Sequence, residues 1–389
     1  MERGELGRRE TMSLTGERVE AFVPKPLPPN PPIDMSGQLR QALESASLAL
    51  GRLDGIAFSP LLPDPLIFAY AYQRKEAVLS SQIEGTQTSL ADLALFEAGA
   101  PPEAHMDDAA ETANYVAALE HGMERMAEQF PICNRLIREI HAILLSSGRG
   151  RNKTPSAFRR SQNWIGGTRP GNAVYVPPPH ELVEDCMADM ERFIHADDGL
   201  PALIRAGVAH LQFEMIHPFL DGNGRVGRLL ILLMLMDAGA LRSPILYLSL
   251  YLKRRRDEYY RLLNETKNTG DWETWIAFFL KGVQTSAENA VDTCSRLYRL
   301  FAEDRALIES ELGRRVGSAL RVHRSLCSIP AAQLTAVAKS AEISYGAASS
   351  AVEGLEKIGV VREVTGKRRG RIYVYTRCLD ILNEDTEPL

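Results

Sequence analysis

The sequence predicts a mainly α fold, and three observations carry that expectation. Apolar residues recur at helical spacing through most of residues 35–312. Only one short interval inside that stretch, WIGGTRPGNAVYVPPP, alternates β-like runs with Gly and Pro turn signals. Beyond residue 312 the pattern changes to short helices followed by a basic hairpin.

The elements follow in order. Residues 1–34 read as an extended N-terminal arm, because Pro at 24, 26, 28, 29, 31 and 32 favours polyproline geometry and forbids helix. Residues 35–107 read as an N-terminal helical unit, with Leu39, Leu43, Leu48 and Leu50, and then Leu66–Ile83 running into Gly85 as a left-handed terminator. Residues 108–286 form a larger helical unit, interrupted by an exposed hairpin, or flap, at 165–178. Residues 287–312 read as a connecting helix. In 313–389, helices near Ala331–Ser340 and Tyr345–Ile358 precede VVREV, the turn TGKRRG and RIYVYT, which together spell a winged-helix module.

Composition sets the class. A chain of 389 residues, 45% hydrophobic and 24% charged, is ordinary globular usage and long enough for two or three units. A formal charge of −5 excludes a protein that is basic throughout, so contact with nucleic acid would need a local patch. Five scattered cysteines without a CxxC pair give neither a disulfide framework nor a zinc site, and read as thiols in a reducing compartment. The opening MERGELGRRETMSLTGERVE lacks the apolar core of a secretory signal, and the most apolar run, Leu229–Met236, is far shorter than the ~20 residues of a membrane helix. A cytoplasmic location with no membrane contact is expected.

The chemistry concentrates in HPFLDGNGRVGR, His217 to Arg228. Gly222, Asn223 and Gly224 permit backbone twists that turn successive N–H groups toward one point where a helix opens, which makes a phosphate cradle. Asp221 beside such a cradle is a natural ligand for Mg²⁺. Arg225 and Arg228, three apart on one helix side, suit the grip of further phosphate oxygens. His217, just ahead, offers a neutral imidazole as general base toward a hydroxyl. Singly, each has a plain structural reading: a histidine at a helix end, a Gly turn, arginines in surface pairs. Their joint spacing selects the chemical one.

This run matches HPFx[DE]GNGRxxR, the signature of the Fic family, at every defined position, and the chain resembles that family over nearly its whole length. The resemblance implies transfer of AMP from ATP to Ser, Thr or Tyr hydroxyls of proteins, itself included. It implies ATP and Mg²⁺ as co-substrate and cofactor, and target docking by main-chain pairing on the flap 165–178. It also places Tyr260, or its neighbour Tyr259, against adenine. The segment Ser80-Ser81-Gln82-Ile83-Glu84-Gly85 matches the family's inhibitory pattern [ST]xxxE[GN], with Ser80 and Glu84 on one helix face. Glu84 would then compete with the γ-phosphate for Arg228. A homodimer is a further expected partner.

Other readings stay open. Removal of AMP from proteins uses the same residues, whereas phosphate transfer is disfavoured by the intact Gly224. A nucleotide-sensing DNA-binding regulator is disfavoured by His217, since sensing needs no base. The wing carries Arg362, Lys367, Arg368, Arg369, Arg371 and Arg377 against Glu363. The recognition helix YGAASSAVEGLEKI nevertheless has few long polar residues for base edges, so protein contact or intramolecular packing is expected ahead of specific DNA binding.

Overall fold

The computed structural model describes residues 2–57, 66–100 and 106–388. In chain order it has strands β1 (Gly7–Leu14) and β2 (Glu17–Pro24), then helices α1 (Gly37–Ala57), α2 (Leu66–Ile83), α3 (Leu90–Glu97), α4 (Met106–Ala127) and α5 (Asn134–Leu144). After the flap come α6 (Val183–Ile194), α7 (Ala202–Ile216), α8 (Asn223–Asp237), α9 (Ser249–Arg254), α10 (Arg256–Thr269) and α11 (Trp272–Glu311). The chain closes with α12 (Val316–Ser328), β3 (Ala331–Gln333), α13 (Leu334–Ser340), α14 (Tyr345–Lys357), β4 (Arg362–Glu363), β5 (Ile372–Val374) and α15 (Thr376–Asn383). The mainly α class follows the helical periodicity of the sequence.

Two compact units interleave along the chain. One comprises residues 1–50, 114–242 and 251–285; the other comprises 51–113, 243–250 and 286–389. Each unit therefore gathers stretches that lie far apart in the sequence. The stretch 287–312, read as a separate connecting helix, continues α11, which runs unbroken for 40 residues.

In the first unit, α7 and α8 are apolar on nearly every side and almost wholly buried, which makes them its central pair. The expected extended arm needs correction. Residues 7–24 form an antiparallel hairpin in the register Gly7↔Pro24 to Leu14↔Glu17. Its two-residue turn, Thr15-Gly16, has positive φ at both positions, as a tight hairpin turn requires. Val19 and Ala21 of β2 are buried with Val176, so the alternation in ERVEAFVP reflects one packed face. Arg18 and Glu20 of β2 lie exposed on the other face.

The flap is also less regular than the hairpin expected at 165–178. One bridge, Ile165↔Tyr175, replaces a ladder. Gly166 and Gly167, both at positive φ, and the 3₁₀ turn Pro170–Asn172 bend the chain out of pairing.

In the second unit, α12, α13 and α14 stand with a small antiparallel sheet in the order β3-β5-β4. Tyr375, buried beyond β5, donates its hydroxyl to Asp304 on α11 at 2.5 Å, and Arg377 grips the other oxygen at 2.8 Å. The sequence reading starts the first of the two short helices before the basic hairpin at Ala331, whereas Ala331–Gln333 form strand β3 and α13 begins at Leu334.

Candidate functional site

His217 caps the C-terminal end of α7 in the left-handed region, at φ 49° and ψ 61°. A non-glycine residue there carries a strain of about 1–2 kcal/mol, and its surroundings must hold it. Its N–H bonds the Phe213 carbonyl at 2.9 Å. Its own carbonyl accepts from Arg159 Nε at 3.0 Å. Arg159 is buried, and also donates to the Pro178 carbonyl at the root of the flap at 2.5 Å. Its backbone N–H bonds the Pro218 carbonyl. One guanidinium therefore fixes both the histidine and the flap. Burial lowers its pKa to about 10, which leaves it charged at neutral pH.

The loop between α7 and α8 is shaped by Asn223. Its side chain accepts from the Phe219 N–H and donates to the Phe219 carbonyl, each at 2.8 Å, closing a ring around residues 219–223. Gly222 precedes Asn223 at φ 79° and is the N-cap of α8, with no capping side chain. The first-turn N–H groups of Asn223, Gly224 and Arg225 therefore have no intrahelical acceptor and point out of the helix end, an arrangement made for an anion. Arg225 and Arg228 lie on the same helix and both are buried. Asp221 is partly exposed; its Oδ1 accepts from the Gly222 N–H at 2.6 Å and lies 3.6 Å from Arg225.

His141 supports this loop from α5. Its Nε2 donates to the Asp221 carbonyl at 3.1 Å and its Nδ1 accepts from the Ser156 N–H at 3.1 Å, so the ring is neutral. Burial drives its pKa down to about 4, in agreement with that tautomer. On α7, His210 bonds the Tyr259 hydroxyl at 2.8 Å; burial first, and then the charge of Arg228, lower its pKa to about 3.

The flap is rooted by Tyr175, whose hydroxyl donates to the Met215 carbonyl at 2.5 Å, and by Gln162, which donates to the Pro177 carbonyl. Its far end is held by the N-terminal hairpin. Glu17 accepts from the Gly171 N–H at 2.7 Å and pairs with Arg169 at 3.0 Å. Val174 is exposed on its outer side.

The fold thus brings His217, Asp221, Gly222, Asn223, Gly224, Arg225 and Arg228 into one corner of the first unit. Tyr260 is exposed on α10, packed on Tyr259 with ring centroids 5.2 Å apart, and Tyr259 is the ring buried toward α7. Ser80 and Glu84 belong to the second unit, at the end of α2, where Ser80 is buried and Glu84 is exposed in the turn that follows. Sequence reasoning missed Arg159, His141, Glu17 and Gly150, the last so close to Asp221 that a Cβ there would lie 2.7 Å from its Oδ2. None carries a local motif, and each reaches the site through tertiary contact.

Comparisons with known proteins agree with this architecture. The Fic/DOC family N-terminal model matches residues 40–124 and the Fic/DOC family model matches residues 131–235. The chain is 34% identical over 123 residues to the protein adenylyltransferase Fic of Drosophila yakuba, and 33% identical over the same length to that of Drosophila ananassae. Each match spans 31% of this chain and 22% of the relative. Among solved structures, a Fic family protein from Desulfovibrio desulfuricans G20 aligns with a TM-score of 0.56 at 19% identity, covering 86% of this chain and 95% of that one. Fic-1 from C. elegans aligns at 0.52 and 23% identity, covering 66% and 73%. The chain thus carries, over residues 40–124 and 131–235, a Fic/DOC family N-terminal domain and a Fic/DOC family domain.

Proposed function

We propose that the protein is an adenylyltransferase that moves AMP from ATP to a protein hydroxyl and restrains itself through Glu84. The observation that carries the reading is His217, held in a strained cap directly ahead of an uncapped helix N-terminus flanked by two buried arginines. The α8 N–H groups, Arg225 and Arg228 hold the phosphates. The target oxygen attacks the α-phosphorus, the bond to the β-phosphate breaks, pyrophosphate leaves, and the hydroxyl proton passes to His217. Positioning and charge neutralisation supply most of the acceleration in such transfers.

The donor set around Asp221 fits Mg²⁺ held jointly with a nucleotide. Asp221 offers one accessible carboxylate beside the cradle, and among the described residues no cluster of three or more His, Cys, Asp or Glu could cage a metal. Bound there, Mg²⁺ would neutralise phosphate charge.

The inhibitory role of Glu84 rests on the Ser80–Gly85 pattern and on its exposed place just after α2. The flap 165–178, with its single bridge and exposed outer edge, is read as the target's main-chain dock. Tyr260, an exposed ring on α10, is kept as the adenine wall. The C-terminal module is read as a winged helix that serves packing and protein contact: α3 lies in its core, with Ala94 beside Ala331, Ile372 and Val374. The five cysteines are free thiols, which supports a cytoplasmic location.

The test is incubation of the Glu84→Gly chain with α-labelled and γ-labelled ATP. Label retained from the α-phosphate alone is expected, rising about ten- to hundred-fold over the unaltered chain, the rate equivalent of losing one charged hydrogen bond. His217→Ala in that background should fall by ~10²–10⁴-fold, with ATP binding retained. Retention of γ-label would overturn the reading.

A further inference from the structure

We infer that Gln82 and the C-terminal turn Asn383–Thr386 are positioning elements for Glu84, so that the C-terminal module sets how strongly transfer is restrained. This rests on the inhibitory reading of Glu84 given above. Every contact that supports it lies within the second unit.

Gln82 sits two residues before Glu84 and is almost completely buried. A buried side-chain amide must place both of its N–H bonds. One goes to the Thr88 carbonyl at 2.9 Å, across the turn that carries Glu84 and Gly85. The other goes to the Thr386 carbonyl at 2.6 Å. The Glu84 turn is therefore spanned from below by one side chain, and that side chain is tied to the last residues of the chain.

The same C-terminal turn caps the next helix. Leu90 and Ala91 open α3, and their N–H groups lack intrahelical acceptors. Leu90 N–H bonds Thr386 Oγ1 at 3.3 Å and Ala91 N–H bonds Asn383 Oδ1 at 3.1 Å. Thr386 is fully buried, and its hydroxyl donates back to Asn383 at 2.8 Å. Two turns before Gln82 on the same face of α2, Lys75 donates to the Glu384 carbonyl at 2.8 Å. Arg296 holds the Glu384 carboxylate through two nitrogens, at 2.5 and 2.6 Å. Beyond the cap, α3 packs on the sheet and α15, and Gln333 donates to the Ala98 carbonyl at 3.0 Å.

The segment that bears Glu84 is thus bounded on both sides by the C-terminal module. A carboxylate can compete for a guanidinium only if its own backbone is fixed, because an unanchored turn spreads it over many positions. Loosening the anchor should therefore release transfer without touching the cradle.

The test uses full-length chains carrying Gln82→Met, which keeps volume and removes both donors, and Asn383→Ala, which removes the α3 cap from the far side. Each should raise the rate of AMP incorporation by about five- to thirty-fold, the factor that 1–2 kcal/mol sets in an equilibrium. Hydrogen exchange of the amides between residues 84 and 91 should quicken. In the Glu84→Gly background neither substitution should add anything, which a merely structural role would not reproduce, since general damage slows both backgrounds alike. Activation by Glu84→Gly but not by Gln82→Met overturns the positioning role alone. If Glu84→Gly itself brings no gain, the inhibitory reading falls and this assignment falls with it.

Discussion

The ring of Phe219 lies stacked on that of His141, with centroids 3.7 Å apart and planes 8° from parallel. His141 is thereby sealed in its neutral form beneath the loop between α7 and α8, at a pKa of about 4 against the usual 6.5. A depressed histidine contributes stability that is present above pH 6.5 and lost as pH falls toward 4, where the unfolded chain takes up the proton first. His210 and His323 are lowered by burial in the same direction. His141→Phe keeps a ring against Phe219 but removes one titration. Its unfolding free energy, read from urea midpoints between pH 6.5 and 4, should fall less steeply than that of the unaltered chain, by up to about 1.4 kcal/mol per pH unit. Equal slopes would show that His141 is not neutral in the fold.

Arg159→Met should be costly both to the fold and to turnover. It leaves the His217 and Pro178 carbonyls without their buried donor, a loss of about 1–3 kcal/mol for each unsatisfied group. Arg159→Lys should rescue little, because one ammonium cannot span both carbonyls as the planar fork does. Thermal unfolding reports the first effect. A fall in kcat with ATP affinity retained reports the second.

Gly150 approaches the carboxylate of Asp221. A Cβ at residue 150 would lie 2.7 Å from Asp221 Oδ2. Gly150→Ala should displace that carboxylate and raise the Mg²⁺ concentration for half-maximal transfer by about 10–100-fold, the usual scale for disturbing a metal ligand's surroundings. A Mg²⁺ titration at saturating ATP decides it, and an unshifted midpoint would remove Asp221 from the metal.

Glu17→Ala releases the Gly171 N–H and Arg169 at the flap tip. These groups are largely exposed, so stability should change by less than about 1 kcal/mol. KM for a protein target should nevertheless rise several-fold while KM for ATP stays constant. Glu17→Gln, which keeps an acceptor for Gly171, should restore much of the loss.

The contiguous residues were readable from sequence because a single loop and helix start present them. His217 to Arg228 needs only a helix end, a turn and a helix beginning, and these occur as the spacing implies. Arg159 is invisible at that level: it lies in the irregular stretch after α5, and its role exists only where His217 and Pro178 converge on it. Glu17 is hidden for a similar reason, because its partner Gly171 is 154 residues away. The hairpin of residues 7–24 had a readable pattern in Val19, Ala21 and Val23, all buried, but the proline run after it drew the reading toward an arm. The flap failed as a ladder at Gly166 and Gly167, whose φ values only the folded chain reveals.

Strand β2 pairs with β1 on one side, and on the other Phe22 N–H meets the Val176 carbonyl at 2.9 Å. During synthesis at roughly 5–20 residues per second, that second edge waits on the order of ten seconds or more for its partner to emerge. A bare edge left open so long is a template for pairing with other nascent chains. The exposed Arg18 and Glu20 flank the buried Val19 on this strand, and Arg8 and Arg9 stand exposed on the next. The charges on these two strands are thus the guard that lets an early strand wait for a late partner.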